Sequence, residues 1–151
     1  MNLLKQPEYI HVLLNHLPLT GLVAALLALL AAMVWRNRFG MRIGLGLVGL
    51  MAFSAWPASE YGEKGYDRVY AMSDEAGQAA LKEHAELAKR WVGLYYAVSA
   101  VAWLGLAFSW KWPKGLLTVA LVVFLLSGLC LIKGLQIAGE GGEIRHKEFR
   151  P

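Results

Sequence analysis

Three stretches of this chain run for roughly twenty residues each without a charged side chain, and they limit the folds open to it. They cover residues 17–35, 91–110 and 115–132. A helix needs about 20 apolar residues to cross the hydrocarbon of a bilayer, so each stretch is long enough to span. We therefore predict transmembrane helices over about residues 12–35, 88–110 and 115–137. The first stretch is too long for a signal-peptide core, so we expect it to be uncleaved and to keep Met1 or Asn2.

A fourth, shorter apolar stretch predicts a further span over about residues 43–58. It lies between Arg42 and Pro57, so it crosses only if the aliphatic part of Arg42 lies in the hydrocarbon and the helix continues past Ala58. The expected fold is all-α, a four-helix transmembrane bundle that forms a single membrane domain over residues 1–151. An outer loop at 59–87 and a C-terminal tail at 138–151 complete it.

Five basic residues in two short loops predict the orientation. Arg36, Arg38 and Arg42 lie between the first two spans, and Lys111 and Lys114 lie between the last two. Neither loop contains an acid, whereas all 11 acidic residues fall on the other side. By the positive-inside rule we expect a bacterial inner-membrane protein with both termini in the periplasm. Topology thereby accounts for the net charge of +4, and no nucleic-acid partner is expected.

The outer loop is expected to change character near Ser73. Its first half contains Gly62 and Gly65 and predicts irregular interfacial structure. Its second half is rich in strong helix formers, with Ser73 or Asp74 as the N-cap. This helix should continue into the third span and give an extended third helix that projects on the outer side. His84 lies on its apolar face, which predicts that the imidazole points into the bundle.

The first span opens with a segment that mixes apolar residues with His11, Asn15, His16 and Thr20. Because Pro18 lies within this segment, two arrangements are open. In one, a helix that begins before this segment leaves the Leu14 carbonyl unpaired at Pro18. In the other, Asn15 caps a helix that begins at His16, with Pro18 in its first turn. Both arrangements place the two histidines near the outer interface.

The four histidines come from three separated segments that the predicted topology brings to one side of the membrane. Imidazole buried in hydrocarbon without a partner costs several kcal/mol, and a bound ligand relieves that cost. The expected ligand is a b-type haem held by two neutral imidazoles from different helices. His16 and His84 are the preferred axial pair, and His11 and His146 are second choices. The cations expected for the haem propionates are Arg145, Arg90 or Lys133.

Two other functions would use the same residues. His11, His16, His84 and His146, joined by a glutamate, would ligate a zinc or copper ion in a site that could be hydrolytic. His11 and His16 lie about 140° apart on a straight helix, so both bind one ion only if the segment breaks near Asn15. Alternatively, the histidines only hydrogen-bond to neighbouring polar side chains, and the chain is a cofactor-free accessory subunit of a larger membrane complex.

Three motifs, HVLLNHLP, KEHAELA and GGEIRHKE, resemble the pattern of a family of small, poorly characterised four-span bacterial inner-membrane proteins. The resemblance covers most of the chain and implies that the matching positions act together. They are His11, His16, Pro18, His84, Gly141, Gly142, Arg145 and His146. A looser likeness to haem-binding membrane modules favours haem.

Together these patterns predict a membrane-embedded, haem-b-binding electron-transfer or quinol-linked subunit with a histidine cluster at the periplasmic side. The expected partners are the lipid bilayer, a quinol, and a larger membrane complex or further copies of the chain. Glycines at 139, 141 and 142 predict a sharp turn after the fourth span, which would fold residues 144–146 back over the histidine cluster.

Overall fold

The computed structural model describes residues 5–150, and over this range the chain is helical and has no strand. The expectation about Met1 and Asn2 lies outside the described residues. The helices are α1 (Pro7–Leu14), α2 (Leu22–Val34), α3 (Arg38–Phe53), α4 (Ala55–Met72), α5 (Glu75–Phe108) and α6 (Leu116–Glu143). A π-helical turn at Leu17–Gly21 joins α1 to α2, and a 3-10 turn at Lys147–Phe149 follows α6.

The helices form four long rods: Pro7–Val34, Arg38–Met72, Glu75–Phe108 and Leu116–Glu143. Each rod packs against the next one, and α6 of the fourth packs against α2 of the first, so the rods close into an up-and-down bundle. All four are long and apolar enough to cross a membrane. The chain is therefore a multi-pass membrane protein, and the predicted all-α four-helix bundle is confirmed.

One apolar core runs through the bundle, and a second apolar surface covers its outside. In the core, fully buried Leu22 and Leu29 of α2 meet Leu45 and Val48 of α3 and Val98 of α5. Large apolar side chains stay exposed on the outer faces of the rods, among them Leu27, Phe53, Leu104, Leu125 and Ile132. Such a surface suits contact with the acyl chains of lipid. A helix also satisfies its backbone hydrogen bonds within itself, which a hydrocarbon environment requires.

The second and third rods are longer than a membrane is thick. They contain 35 and 34 residues, or about 50 Å at about 1.5 Å per residue, against about 30 Å of hydrocarbon. Helix α5 is unbroken from Glu75 to Phe108, and Asp74 caps it by accepting a hydrogen bond from the Gly77 backbone N–H at 3.0 Å. The extended third helix and its predicted cap are both confirmed.

The prediction of irregular structure in the first half of the outer loop is wrong. Residues 59–72 belong to α4, which packs along α1. A Cβ atom on Gly65 would lie 2.9 Å from the backbone nitrogen of Glu8. These glycines therefore let two helices approach closely and do not break the chain into a turn.

The glycines near the end of α6 likewise do not form the predicted turn. Helix α6 runs through all three of them to Glu143, and no glycine among residues 5–150 has a positive φ. The return begins at Ile144, and the Lys147–Phe149 turn then lies back against α6. The tail does fold back, but it does so after the glycines.

The first rod begins at Pro7 and continues through Pro18, which decides between the two arrangements left open by the sequence. Asn15 has helical backbone angles, φ −65° and ψ −17°, and is not an N-cap. Pro18 has no N–H to donate to the carbonyl of Leu14, and the chain widens at this point into the π-helical turn Leu17–Gly21.

Candidate cofactor-binding site

Two histidines from distant parts of the chain meet at the end of the bundle opposite the basic loops. The ring of His11 on α1 and the ring of His84 on α5 have centroids 6.1 Å apart, and their planes are at 88°. Each residue lies roughly 35 Å along its rod from the end that carries the basic loops, at about 1.5 Å per residue. The pair thus lies at the end of the bundle opposite the basic loops, separated from them by slightly more than the roughly 30 Å thickness of a hydrocarbon layer.

Each imidazole is oriented by a main-chain carbonyl of a neighbouring helix. The Nδ1 atom of His11 donates to the Ala58 carbonyl oxygen of α4 at 2.7 Å, and Nδ1 of His84 donates to the Ile137 carbonyl oxygen of α6 at 2.8 Å. Because a carbonyl only accepts, the hydrogen of each neutral ring is on Nδ1. A neutral ring held in this way has its lone pair on Nε2, which is then the nitrogen that would ligate a metal.

A glycine makes room for each of these hydrogen bonds. Gly62 lies four residues after Ala58, and Gly141 lies four residues after Ile137. A Cβ atom would lie 2.9 Å from the His11 Nδ1 if added to Gly62, and 3.1 Å from the His84 Nδ1 if added to Gly141. The same arrangement of imidazole, carbonyl and glycine thus occurs for both histidines, for His11 on α4 and for His84 on α6. Tyr95 repeats it with the Cys130 carbonyl and Gly134 of α6.

His16, the partner preferred from the sequence, lies outside this pair. Its side chain is exposed, and its backbone carbonyl accepts a hydrogen bond from Thr20 Oγ1 at 2.7 Å. A residue five positions from His11 projects about 140° away on a regular helix, so the two rings face different directions. The structure therefore pairs His84 with His11.

His146 and Arg145 lie in the tail and are exposed. The His146 ring stacks on Phe149 with centroids 4.9 Å apart, and its Nδ1 is 3.0 Å from Glu148 Oε1. These contacts are made within the tail itself, so the structure does not join His146 to the other two rings.

A buried carboxylate accompanies the histidine pair. Glu8, one turn before His11 on α1, forms an ion pair with Arg68 of α4 at 3.0 Å. Its Oε2 atom is buried and has no hydrogen-bond partner within residues 5–150. An unpartnered buried oxygen is costly, so this position favours a donor supplied from outside the chain.

A cluster large enough to enclose an ion is absent from the described part of the chain. No group of three or more His, Cys, Asp or Glu side chains there is arranged to hold a metal ion. The His11–His84 pair offers two ligands, whereas a structural zinc site uses four.

The C-terminal tail is fastened to the start of α5, the helix that carries His84. Arg150 donates to both carboxylate oxygens of Asp74 at 2.9 Å and to the carbonyls of Glu143 and Ile144 at 2.8 and 3.1 Å. The Arg150 hydrogen bonds, followed by the bond from the Gly77 N–H, hold the pKa of the Asp74 carboxyl well below its usual value. We refer to the four hydrogen bonds of Arg150, to Asp74, Glu143 and Ile144, as the tail clasp.

Sequence reasoning missed three residues of this region. Gly62 and Gly141 were interpreted as signals for loops, although a glycine inside a helix also marks a place where another group approaches the backbone. Arg150 carried no signal, because its partner Asp74 is 76 residues away.

The fold and the pair define the class of protein: a four-span α-helical membrane protein with two neighbouring imidazoles, each hydrogen-bonded to a main-chain carbonyl, at one end of the bundle. No family model matches the chain, and neither the curated proteins nor the solved structures include a significant match. The resemblance to the four-span family therefore stays a prediction.

Proposed function

We propose that this chain is a haem-b-binding electron-transfer subunit of a membrane, in which His11 and His84 are the axial ligands of one haem. The observation that carries the proposal is the separation of the two rings. Histidine nitrogens bind metals at about 2.0–2.1 Å, so two imidazoles that share one ion lie within about 6 Å of each other. The centroids of the His11 and His84 rings are 6.1 Å apart, so these two residues are close enough to hold one haem iron.

The hydrogen bonds of the pair also fit axial ligation. A metal-bound histidine almost always donates its second ring N–H to a carbonyl or carboxylate, which fixes the tautomer and the ring direction. Both Nδ1 atoms already do this, at 2.7 and 2.8 Å. The main chain thus engages the Nδ1 atom of each ring and leaves each Nε2 atom available for an iron.

Haem fits this donor set better than a zinc or copper ion does. A porphyrin supplies four of the iron ligands, so a protein needs to add only two. A tetrahedral zinc site needs three or four ligands from the chain, and residues 5–150 bring no such group together. When bound, a haem with two imidazole ligands supplies one-electron transfer.

We place the pair on the periplasmic side of a bacterial inner membrane. The basic loops at residues 36–42 and 111–114 lie at the opposite ends of the rods from the histidines. The positive-inside rule supports a cytoplasmic position for these loops.

A quinol is the electron donor that this proposal favours. An apolar groove of about 550 Å³, lined by Phe53, Trp56, Tyr96, Ser99 and Ala100, lies along α3–α4 and α5. Trp56 is two residues before Ala58, whose carbonyl orients His11. A lipid-soluble donor reaches such a groove from the bilayer. If a short-chain quinol fails to reduce haem-loaded protein that dithionite reduces fully, the quinol link is wrong.

Absorption spectra of purified variants test the haem proposal. We expect a Soret band and a sharp α-band on reduction in the wild type and in His16→Ala, the matched control from the same segment. His11→Ala and His84→Ala should each lose the low-spin α-band. Loss of the band in His16→Ala with its retention in His11→Ala would instead support the His16–His84 pair, and a wild type without any haem band would refute the proposal.

A further inference from the structure

A basic pocket lies at the end of the bundle opposite the histidines. Its volume is about 260 Å³, and it lies between the α2–α3 turn and the start of α6. Three cations and four apolar residues line it: Arg36, Arg38, Lys114, Met41, Pro113, Leu116 and Leu117. The two loops that contribute the cations are far apart in sequence and meet only in the folded bundle.

The three cations have no acidic partner of their own. No acid occurs between residues 9 and 59 or between residues 87 and 139. None of the ion pairs among residues 5–150 includes Arg36, Arg38 or Lys114. Their charges therefore add up around one pocket, which favours an anion.

A fourth cation nearby shows the contrast. Arg42 donates to Ser109 Oγ at 3.0 Å and to the Ser109 carbonyl at 3.1 Å, and its guanidinium lies 4.8 Å from the ring centroid of Trp110. Its donors are used to join α3 to the end of α5. Arg42 is thus a structural residue, whereas the three pocket cations are free to bind a ligand.

The backbone at Arg36 provides an independent indication. Arg36 has φ 51°, and it is the one non-glycine residue in 5–150 with a positive φ. It occupies the position after the helix C-cap where glycine is usual, and the N–H groups of Arg36 and Asn37 close the turn on the carbonyls of Met33 and Ala32. An arginine in this strained position indicates that its side chain is needed there.

The walls of the pocket fit a lipid better than a soluble anion. Met41 and Leu116 are buried beneath the cations, and Leu117 is exposed on the outer face of α6. Exposed Trp35 and Trp112 flank the pocket in sequence, as expected at the level of the headgroups. A phospholipid with its phosphate at the rim of the pocket would thus have its acyl chains directed along Leu117 into the bilayer.

We propose that Arg36, Arg38 and Lys114 form a binding site for the phosphate of an anionic phospholipid in the leaflet next to the basic loops. Pockets of this composition between transmembrane helices suit anionic headgroups. The site is separate from the histidine pair and holds whether or not a haem is bound.

Native mass spectrometry of protein released from nanodiscs tests the site. The discs contain phosphatidylglycerol and phosphatidylcholine in equal amounts, and retained lipid is counted per chain. We expect the wild type to retain phosphatidylglycerol preferentially, and the double variant Arg38→Gln/Lys114→Gln to lose this preference at least tenfold. The matched single variants Lys114→Gln and Lys111→Gln each remove one positive charge from the same loop, inside and outside the pocket respectively. Lys114→Gln should lower the preference, and Lys111→Gln should stay within twofold of the wild type.

Three results would overturn the proposal. One is a wild type without preference, and another is an equal loss in Lys111→Gln and Lys114→Gln, which would show unspecific attraction of the whole loop. The third is displacement of the lipid by millimolar inorganic phosphate, which would show that the pocket binds a free anion. The haem spectrum should be unchanged in all these variants, so failure here is distinguishable from failure of the haem proposal.

Arg36→Gly separates lipid binding from folding. Glycine adopts a positive φ without strain, so this variant should melt at the same or a higher temperature than the wild type. It should nevertheless retain less phosphatidylglycerol. Unchanged retention in a stable Arg36→Gly protein would exclude Arg36 from the site.

Discussion

At the scale of single residues, the site depends on glycines as much as on histidines. A ring nitrogen approaches a carbonyl on the side of a helix without hindrance where the residue one turn later has no Cβ atom. Gly62 and Gly141 meet this condition for His11 and His84. The absence of a Cβ atom at the two glycines should therefore control the direction of both rings.

Gly141→Ala tests this control against Gly139→Ala on the same helix. A Cβ at Gly141 would lie 3.1 Å from the His84 Nδ1, whereas nothing lies within 4 Å of one at Gly139. We expect Gly141→Ala to weaken the His84 hydrogen bond, worth about 1 kcal/mol, and to lower haem occupancy. Gly139→Ala should leave occupancy unchanged and stabilise α6 by up to about 1 kcal/mol. Thermal unfolding and the Soret absorbance per chain measure both, and equal effects of the two variants would contradict the argument.

Which histidine faces inward was the residue-scale question that the sequence left open. His84 lies on a helix with charged residues on one side, so its apolar face was evident and its inward direction followed. The segment around His11 and His16 is apolar on most sides and contains Pro18, so no stripe marks a buried face. The choice between the two depended on α4, which packs on α1.

At the scale of elements, α4 and the first turns of α5 form a helical hairpin, and the tail clasp fastens the C-terminal tail to it. Spans and basic loops were predictable, because apolar length and charge are properties of local sequence. The helical state of residues 59–72 and the clasp were not, since both arise from contacts between segments that are distant in sequence.

Arg150→Gln should release the tail, and Arg145→Gln is its control. Arg150 makes four hydrogen bonds in the clasp, whereas Arg145 is exposed. We expect faster hydrogen exchange of the backbone amides at residues 144–150 in Arg150→Gln only. Unchanged exchange there would show that the clasp does not hold the tail.

The clasp should also respond to pH with a defined sign. The pKa of Asp74 is lowered in the fold, so its contribution is complete above the unfolded carboxyl pKa of about 3.9 and is lost as pH falls through the folded pKa. In the wild type the tail should therefore stay protected at neutral pH and become exposed only in strong acid. Arg150→Gln should lack this acid transition.

At the scale of the whole molecule, charge divides the bundle into a basic end and an end that carries all the acids. The division predicts which loops are accessible from each side of the membrane. The native Cys130 is fully buried, so labelling of introduced cysteines has a low background.

Single-cysteine labelling in intact cells checks the orientation. Ser73→Cys, between α4 and α5, should react with a membrane-impermeant maleimide. Lys111→Cys, in a basic loop, should react only after the cells are broken. The reverse pattern would invert the topology and move the histidine pair to the cytoplasmic side.

The use of main-chain acceptors has a consequence for how this protein can change over evolutionary time. Ala58 and Ile137 hold the two imidazoles through atoms that every amino acid possesses, so ring orientation does not depend on the identity of their side chains. Mutational tolerance should therefore be high at the half-buried Ile137, restricted to small residues at the buried Ala58, and low at the glycines one turn later. A saturation library scored for haem content would display this contrast directly.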